Sequence, residues 1–236
     1  MSHDDKNGQP EPIRRPIRSY VLRGGRLTDG QQKALDTLYP RWGLPQEPNQ
    51  INFSALFGRE APTIVEIGFG NGDSTWRMAQ AEEQHNFLAV EVHAPGVGRL
   101  LQATEQQELQ NLRVYLGDAV PLLRQRVADH SLAGIRIYFP DPWHKKRHNK
   151  RRLIQPEFVA LLGEKLTPGG LLHLATDWVP YAEHMLEVMQ GAEGFRNLSP
   201  TDNYCERPSW RPQTKYEQRG DRLGHETRDL LFERQA

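Results

Sequence analysis

Between residues 63 and 190 the chain alternates short apolar runs with segments of helical period, five times over, and few folds accept that pattern. The run 63–67 reads as a continuous apolar strand, and 86–92, 112–116, 133–139 and 170–176 read as further strands of a sheet buried on both faces. The intervening segments 73–81, 96–109, 119–127, 155–166 and 179–190 read as helices. This repetition predicts an α/β fold with a parallel sheet covered by helices on both faces.

The runs share one further property. They finish at Glu66, Glu91, Asp118, Asp141 and Asp177, and the carboxyl ends of strands line the ligand crevice of an open α/β sheet. Acids are common turn residues, so any one of these reads as punctuation; all five together read as a site. After the first run, glycine recurs at Gly68, Gly70 and Gly72, where a ligand could approach the main chain. A dinucleotide fingerprint would place glycine at 73, where Asp73 stands. The loop therefore suggests a nucleotide-like ligand without the usual dinucleotide spacing. Glu91, on the next strand, could accept the two hydroxyls of a ribose or could be a solvated strand end. Asp118 could accept from an exocyclic amine, cap the following helix, or do both.

Pro140-Asp141-Pro142-Trp143 is the most unusual stretch. Two prolines fix the backbone on either side of one carboxylate, for chemistry or simply for a rigid turn, and Trp143 could stack on a base or join the core. A basic run follows at once: Lys145, Lys146, Arg147, Lys150, Arg151 and Arg152. The segment 14–26 adds five arginines and no acid. The 236 residues carry 30 Lys and Arg against 30 Asp and Glu, so these two segments are concentrated charge on a neutral chain. That distribution suits a polyanion bound on one face. His144 and His148 have helical chelating spacing, but six cations and no acidic or cysteine partner surround them, so no metal is expected. The single cysteine, Cys205, rules out a disulfide framework and lacks the neighbours of a nucleophile.

The ends are simpler. Residues 1–13 read as a disordered tail. Residues 14–60 read as a basic arm and an N-terminal helical extension, whose helix starts at the capping-box spacing of Thr28 and Gln31 and ends at Gly43-Leu44-Pro45. Residues 61–236 form the main domain, with Leu230, Leu231 and Phe232 suggesting a last strand. No apolar run has membrane-spanning length and no signal peptide is evident, so a cytoplasmic protein is expected.

Taken together, Glu66 to Gly72, Glu91, Asp118, the stretch from Phe139 to His148, Thr176-Asp177-Trp178, Thr214 to Gly220 and Arg18 to Arg23 resemble the bacterial tRNA (guanine-N7)-methyltransferases. The resemblance covers the chain from about Arg14 onward. It implies a Rossmann-like class I methyltransferase fold, with a seven-stranded sheet whose last strand is antiparallel. It also implies S-adenosylmethionine as methyl donor and guanine 46 of the tRNA variable loop as acceptor, in a monomer that needs no protein partner. On the matching positions, Glu66, Gly68, Gly70, Gly72, Glu91, Asp118 and Asp141 would bind the donor. Lys145, Asp177, Thr214, Lys215, Tyr216 and Glu217 would hold the substrate nucleotide. Asp141 would be the catalytic residue, and Arg147, His148, Asn149, Lys150, Arg151 and Arg152 would contact RNA. A nicotinamide-dependent dehydrogenase shares the strand–glycine–helix–acid order but leaves the basic run unexplained. An amino-group methyltransferase would carry its prolines after the acid, and a non-catalytic RNA-binding subunit would not need five acidic strand ends.

Overall fold

The structure, a computed structural model, describes residues 19–21, 26–214, 217, 224 and 226–236. The expected tail 1–13, most of the arm between 14 and 26, and the candidates Lys215 and Tyr216 lie outside the described residues. Among the described residues the chain forms β1 (Thr63–Ile67), β2 (Asn86–Glu91), β3 (Leu112–Leu116), β4 (Leu132–Tyr138), β5 (Leu166–Thr176), β6 (Phe195–Asn197) and β7 (Arg228–Arg234). The helices are α1 (Asp29–Trp42), α2 (Phe53–Phe57), α3 (Asp73–Ala81), α4 (Ala94–Gln106), α5 (Ala119–Arg126), α6 (Pro156–Lys165) and α7 (Val179–Gln190).

One sheet holds all seven strands in the order β3-β2-β1-β4-β5-β7-β6. β1 to β5 pair in parallel, while β7 pairs antiparallel with both β5 and β6 and so runs against the rest. This matches the expected architecture. From β1 the chain winds outward through β2 and β3, then returns to place β4 on the other side of β1. The strand order reverses there, and a crevice opens at the carboxyl ends of such a pair.

Burial explains the unbroken apolar runs. All five residues of β1 are buried, because helices lie on both faces. On one face Val65, Ile67, Leu88, Val90, Ile135 and Ile137 pack with α5, α6 and α7. On the other, Ile64, Phe87, Ala89 and Val114 pack with α1, α3 and α4 through Trp42, Met78, Val97 and Leu100. Each fully buried leucine or valine contributes roughly 1.5–3 kcal/mol over exposure. Helix starts follow local chemistry. Thr28 and Gln31 exchange reciprocal hydrogen bonds at the start of α1, and Asp118 accepts from Val120 N at 2.9 Å to cap α5.

The expected extension is part of the main body. Trp42 is buried and donates its indole N–H to Glu105 on α4 at 2.6 Å, and Leu44 N donates to Val114 O of β3 at 2.8 Å. The one-turn α2 was not foreseen, and the seventh strand, implied by the resemblance without a place in the chain, is the three-residue β6. β5 also starts at Leu166, four residues before its apolar run, with a register shift opposite Leu132 and Gly134. Gly169, at φ +80°, allows the chain to turn through that irregularity.

Candidate active site

A cavity of about 420 Å³ opens at the strand-order reversal. Gly68, Gly70, Glu91, Asp118 and Asp141 all line it, so the carboxyl ends of all four strands β1 to β4 meet in one place. Ser19, Tyr20 and Val21 line it too, bringing the described part of the arm to the same opening. A larger groove, about 1010 Å³, runs between α6 and α7 and includes none of the candidate residues.

The glycine loop is shaped for close approach. Gly70 has φ +61°, and a Cβ placed on it would meet nothing within 4 Å, which leaves open space beside the main chain. On its other side the loop is tight. A Cβ on Gly96 of α4 would lie 2.0 Å from the carbonyl oxygen of Gly70, so only glycine lets that helix start against the loop. Glu91 fastens the arrangement: one carboxylate oxygen accepts from Gly70 N at 2.9 Å, and the other from Val92 N at 2.7 Å and His93 N at 3.0 Å. A carboxylate accepts about four hydrogen bonds, so Glu91 keeps capacity for a ligand donor. Asp118 caps α5 and also lines the cavity, so the cap does not take its carboxylate out of the opening.

Gly72 and Glu66 are placed differently. Gly72 is the N-cap of α3 and faces Leu100 instead of the opening. Glu66 lies inside β1, one residue short of its end, only 3% exposed and opposite Arg136 of β4. Arg136 does not neutralise it directly, because its guanidinium grips Glu82 at 2.8 and 2.9 Å. Burial therefore pushes the Glu66 carboxyl up to about 7, and its Oε2 makes no hydrogen bond.

Asp141 is exposed and lines the cavity, three residues past β4. The turn that carries it is strained at both ends, since Phe139 has φ +51° and Trp143 φ +48°. Side chains rarely adopt that region, and such strain persists only where packing enforces it. Trp143 is held by its indole N–H, which donates to Ser19 O at 3.0 Å, and by Arg151, whose guanidinium lies 4.9 Å from its ring. Trp143 thus binds the arm to the turn.

The basic run forms a 3₁₀ segment, Lys146–Arg151, with Lys145 at its start. Lys145, Arg147, Lys150 and Arg151 are exposed and form a cationic strip beside Asp141; His148 and Asn149 are half-buried. Partial burial first, then the charges of Arg147, Arg151, Lys145 and Lys150, lower the His148 pKa. Arg152 does not belong to the strip. It is 6% exposed, donates to Pro142 O at 3.0 Å and Pro180 O at 3.3 Å, and lies 4.8 Å from the Tyr181 ring. The rings of His144 and His148 pack on different tryptophans, Trp178 and Trp143, instead of converging.

The remaining described candidates, Asp177, Thr214 and Glu217, are not among the residues that line the cavity. Asp177 follows β5 and is half-buried. Thr214 and Glu217 hold each other: Glu217 Oε2 accepts from Thr214 N at 2.9 Å, and Thr214 Oγ1 accepts from Glu217 N at 3.1 Å. Glu217 also accepts from Arg211, a residue that no sequence pattern singled out.

Comparison with known proteins agrees with this geometry. Residues 60–230 match a family described as "Putative methyltransferase". A protein of Alcanivorax borkumensis named tRNA (guanine-N(7)-)-methyltransferase is 54% identical over 232 residues, covering 98% of this chain and 97% of its own. One of the same name from Shewanella amazonensis is 56% identical over 220 residues, covering 93% and 92%. The crystal structure of an rRNA methylase from Streptococcus thermophilus superposes with a TM-score of 0.51 at 14% identity, over 75% of this chain and 88% of that one. At that identity the likeness is one of fold, the class I methyltransferase fold.

Proposed function

The chain belongs to the tRNA (guanine-N7)-methyltransferase family, and from that premise we propose that it methylates N7 of guanine 46 in the tRNA variable loop, with S-adenosylmethionine as donor. The observation that carries the reading beyond kinship is the position of Asp141. A carboxylate on a strained turn lines the cavity, and an exposed cationic strip begins four residues later at Lys145.

The lining suits the donor. Gly68 and Gly70 leave room along the main chain, Glu91 retains acceptor capacity for ribose hydroxyls, and Asp118 can accept from the adenine amine. When bound, S-adenosylmethionine supplies an electrophilic methyl group on sulfur.

The protein's part is alignment and charge. Guanine N7 has an in-plane lone pair and carries no proton, so no base is needed to make it nucleophilic. Positive charge then develops on the purine as N7 gains the methyl group. Asp141 accepts the N1–H edge of the base, which orients it, and places fixed negative charge beside the developing cation. N1 grows more acidic as N7 is alkylated, and Asp141 is positioned to take that proton. Lys145, Asp177 and the segment from Thr214 to Tyr216 hold the nucleotide, while Arg147, Lys150 and Arg151 contact backbone phosphates. An enzyme acting on tRNA in this way works in the cytoplasm.

Transfer of labelled methyl groups from S-adenosylmethionine to an unmodified tRNA transcript, followed by nucleoside analysis, tests the assignment. The product is 7-methylguanosine, and a transcript with adenine at position 46 accepts no label. Another methylated nucleoside, or undiminished labelling of the altered transcript, overturns it.

A further inference from the structure

We propose that Arg211 is a positioning residue for methyl transfer, and that Glu217 acts through it instead of touching the substrate. This rests on the methyl-transfer reading above.

Arg211 is 3% exposed and bridges two buried carboxylates, Glu217 six residues and Asp229 18 residues further along the chain. Its Nε and Nη2 donate to the two oxygens of Asp229 on β7 at 2.7 and 2.8 Å, a bidentate pair. Its Nη1 donates to Glu217 Oε1 at 2.5 Å. The other oxygen of Glu217 holds Thr214 N and closes the reciprocal turn, so both oxygens of that carboxylate are engaged within the protein. A carboxylate committed in this way, and 4% exposed, is a strut.

The anchor is fixed in turn. Trp210 N–H donates to His173 Nδ1 at 3.3 Å, and an indole can only donate, so the His173 proton lies on Nε2. That N–H reaches Asp229 Oδ1 at 2.7 Å, and the Tyr138 hydroxyl lies 2.9 Å from the same Nδ1. Asp229 thus receives its hydrogen bonds from β5 and from the 210–211 loop at once. The Arg211 guanidinium also lies 5.7 Å from the rings of both Tyr138 and Phe139. Phe139 is the strained residue that leads into Pro140 and Asp141. One cation therefore ties the Thr214 turn, the last strand and the entry to the catalytic turn into a single unit.

The test combines amide exchange with a double-mutant cycle on Arg211→Lys and Glu217→Gln. Lysine keeps the charge but cannot make the bidentate pair. Glutamine keeps capping geometry and removes the ionic partner. Amide exchange at Thr214 and Glu217 speeds up in Arg211→Lys while β1 and β4 stay protected, and this readout involves no methyl transfer. An inactive wild-type enzyme would therefore sink the assigned reaction and leave the exchange result standing. In single-turnover methylation each variant slows about tenfold, the double variant also about tenfold, and the S-adenosylhomocysteine Kd stays within about twofold. Multiplicative loss, about a hundredfold in the double variant, means that Glu217 contacts substrate independently and overturns the proposal. Unchanged exchange in Arg211→Lys overturns it as well. Should Arg211→Lys not fold, Glu217→Gln decides alone. Slower turnover at unchanged tRNA affinity, with faster Thr214 exchange, supports the strut; weakened tRNA affinity with unchanged exchange overturns it.

Discussion

The side-chain Nε–H of Arg152 donates to the carbonyl oxygen of Pro142, 3.0 Å away, and so braces the turn that carries Asp141 from behind. The same guanidinium reaches Pro180 O at the start of α7, which makes it a bracket between the Asp141 turn and the helix layer. Arg152→Met should therefore lower single-turnover methylation about tenfold and stability by about 1–2 kcal/mol, since two partly buried carbonyls lose a charged donor. The slope of log tRNA affinity against log salt should stay at the wild-type value. Arg147→Gln and Arg151→Gln should each flatten that slope by about 0.7–0.9. Filter binding across a salt series separates the two classes, and a flattened slope in Arg152→Met would return that residue to the RNA surface.

Asp141 provides a charge test at nearly constant shape. Asparagine retains an acceptor oxygen for the base edge but removes the negative charge facing the developing cation. Removing a preorganised charge-stabilising group typically costs 10²–10³ in rate, roughly 2.7–4 kcal/mol. Asp141→Asn should thus slow single-turnover methylation by about that factor and leave tRNA affinity within about twofold. If methylation survived at near wild-type rate, the carboxylate would be only a turn residue.

The contact between Glu91 and the Gly70 amide makes the glycine loop dependent on one carboxylate. Glutamine in its place turns an NH₂ group toward one or two of the three backbone donors, and each mismatch costs about 1–3 kcal/mol. Glu91→Gln should weaken S-adenosylhomocysteine binding at least tenfold by calorimetry, with tRNA affinity unaltered. Equal affinities would free the loop from Glu91.

Local signals made most of the scaffold legible. β1, α3, β3 and α7 begin and end where hydrophobic period and flanking turn residues place them, and Thr28 and Asp118 cap as their spacing predicts. The strand ends cluster as an α/β sheet requires, so Gly70, Glu91, Asp118 and Asp141 were findable before any fold was known. What escaped depends on partners far along the chain. β6 exists only through pairing with β7, and the early start of β5 depends on a bulge opposite β4. Arg152 is one of six cations in a run, and nothing local distinguishes the one that turns inward. Arg211 acquires its role from Asp229, 18 residues away, and from Tyr138 on another strand.

Glu66 gives the molecule a pH-dependent stability with a definite sign. Burial raises its folded-state pKa from 4.5 to about 7, with the nearby Thr75 hydroxyl and then the Arg136 charge offsetting only part of that effect. Between those values the folded chain keeps a proton that the unfolded chain releases. Stability should therefore be highest below the unfolded pKa, fall as pH rises through this window, and level off above about 7. The full change is on the order of 3 kcal/mol, at 1.36 kcal/mol per pKa unit. Glu66→Gln carries no titrating group, so its stability relative to wild type should grow by that amount between acid and pH 8. Urea unfolding of both proteins at several pH values measures the difference, and groups common to both cancel. A pH-independent gap would mean that the Glu66 carboxylate is already ionised in its buried site.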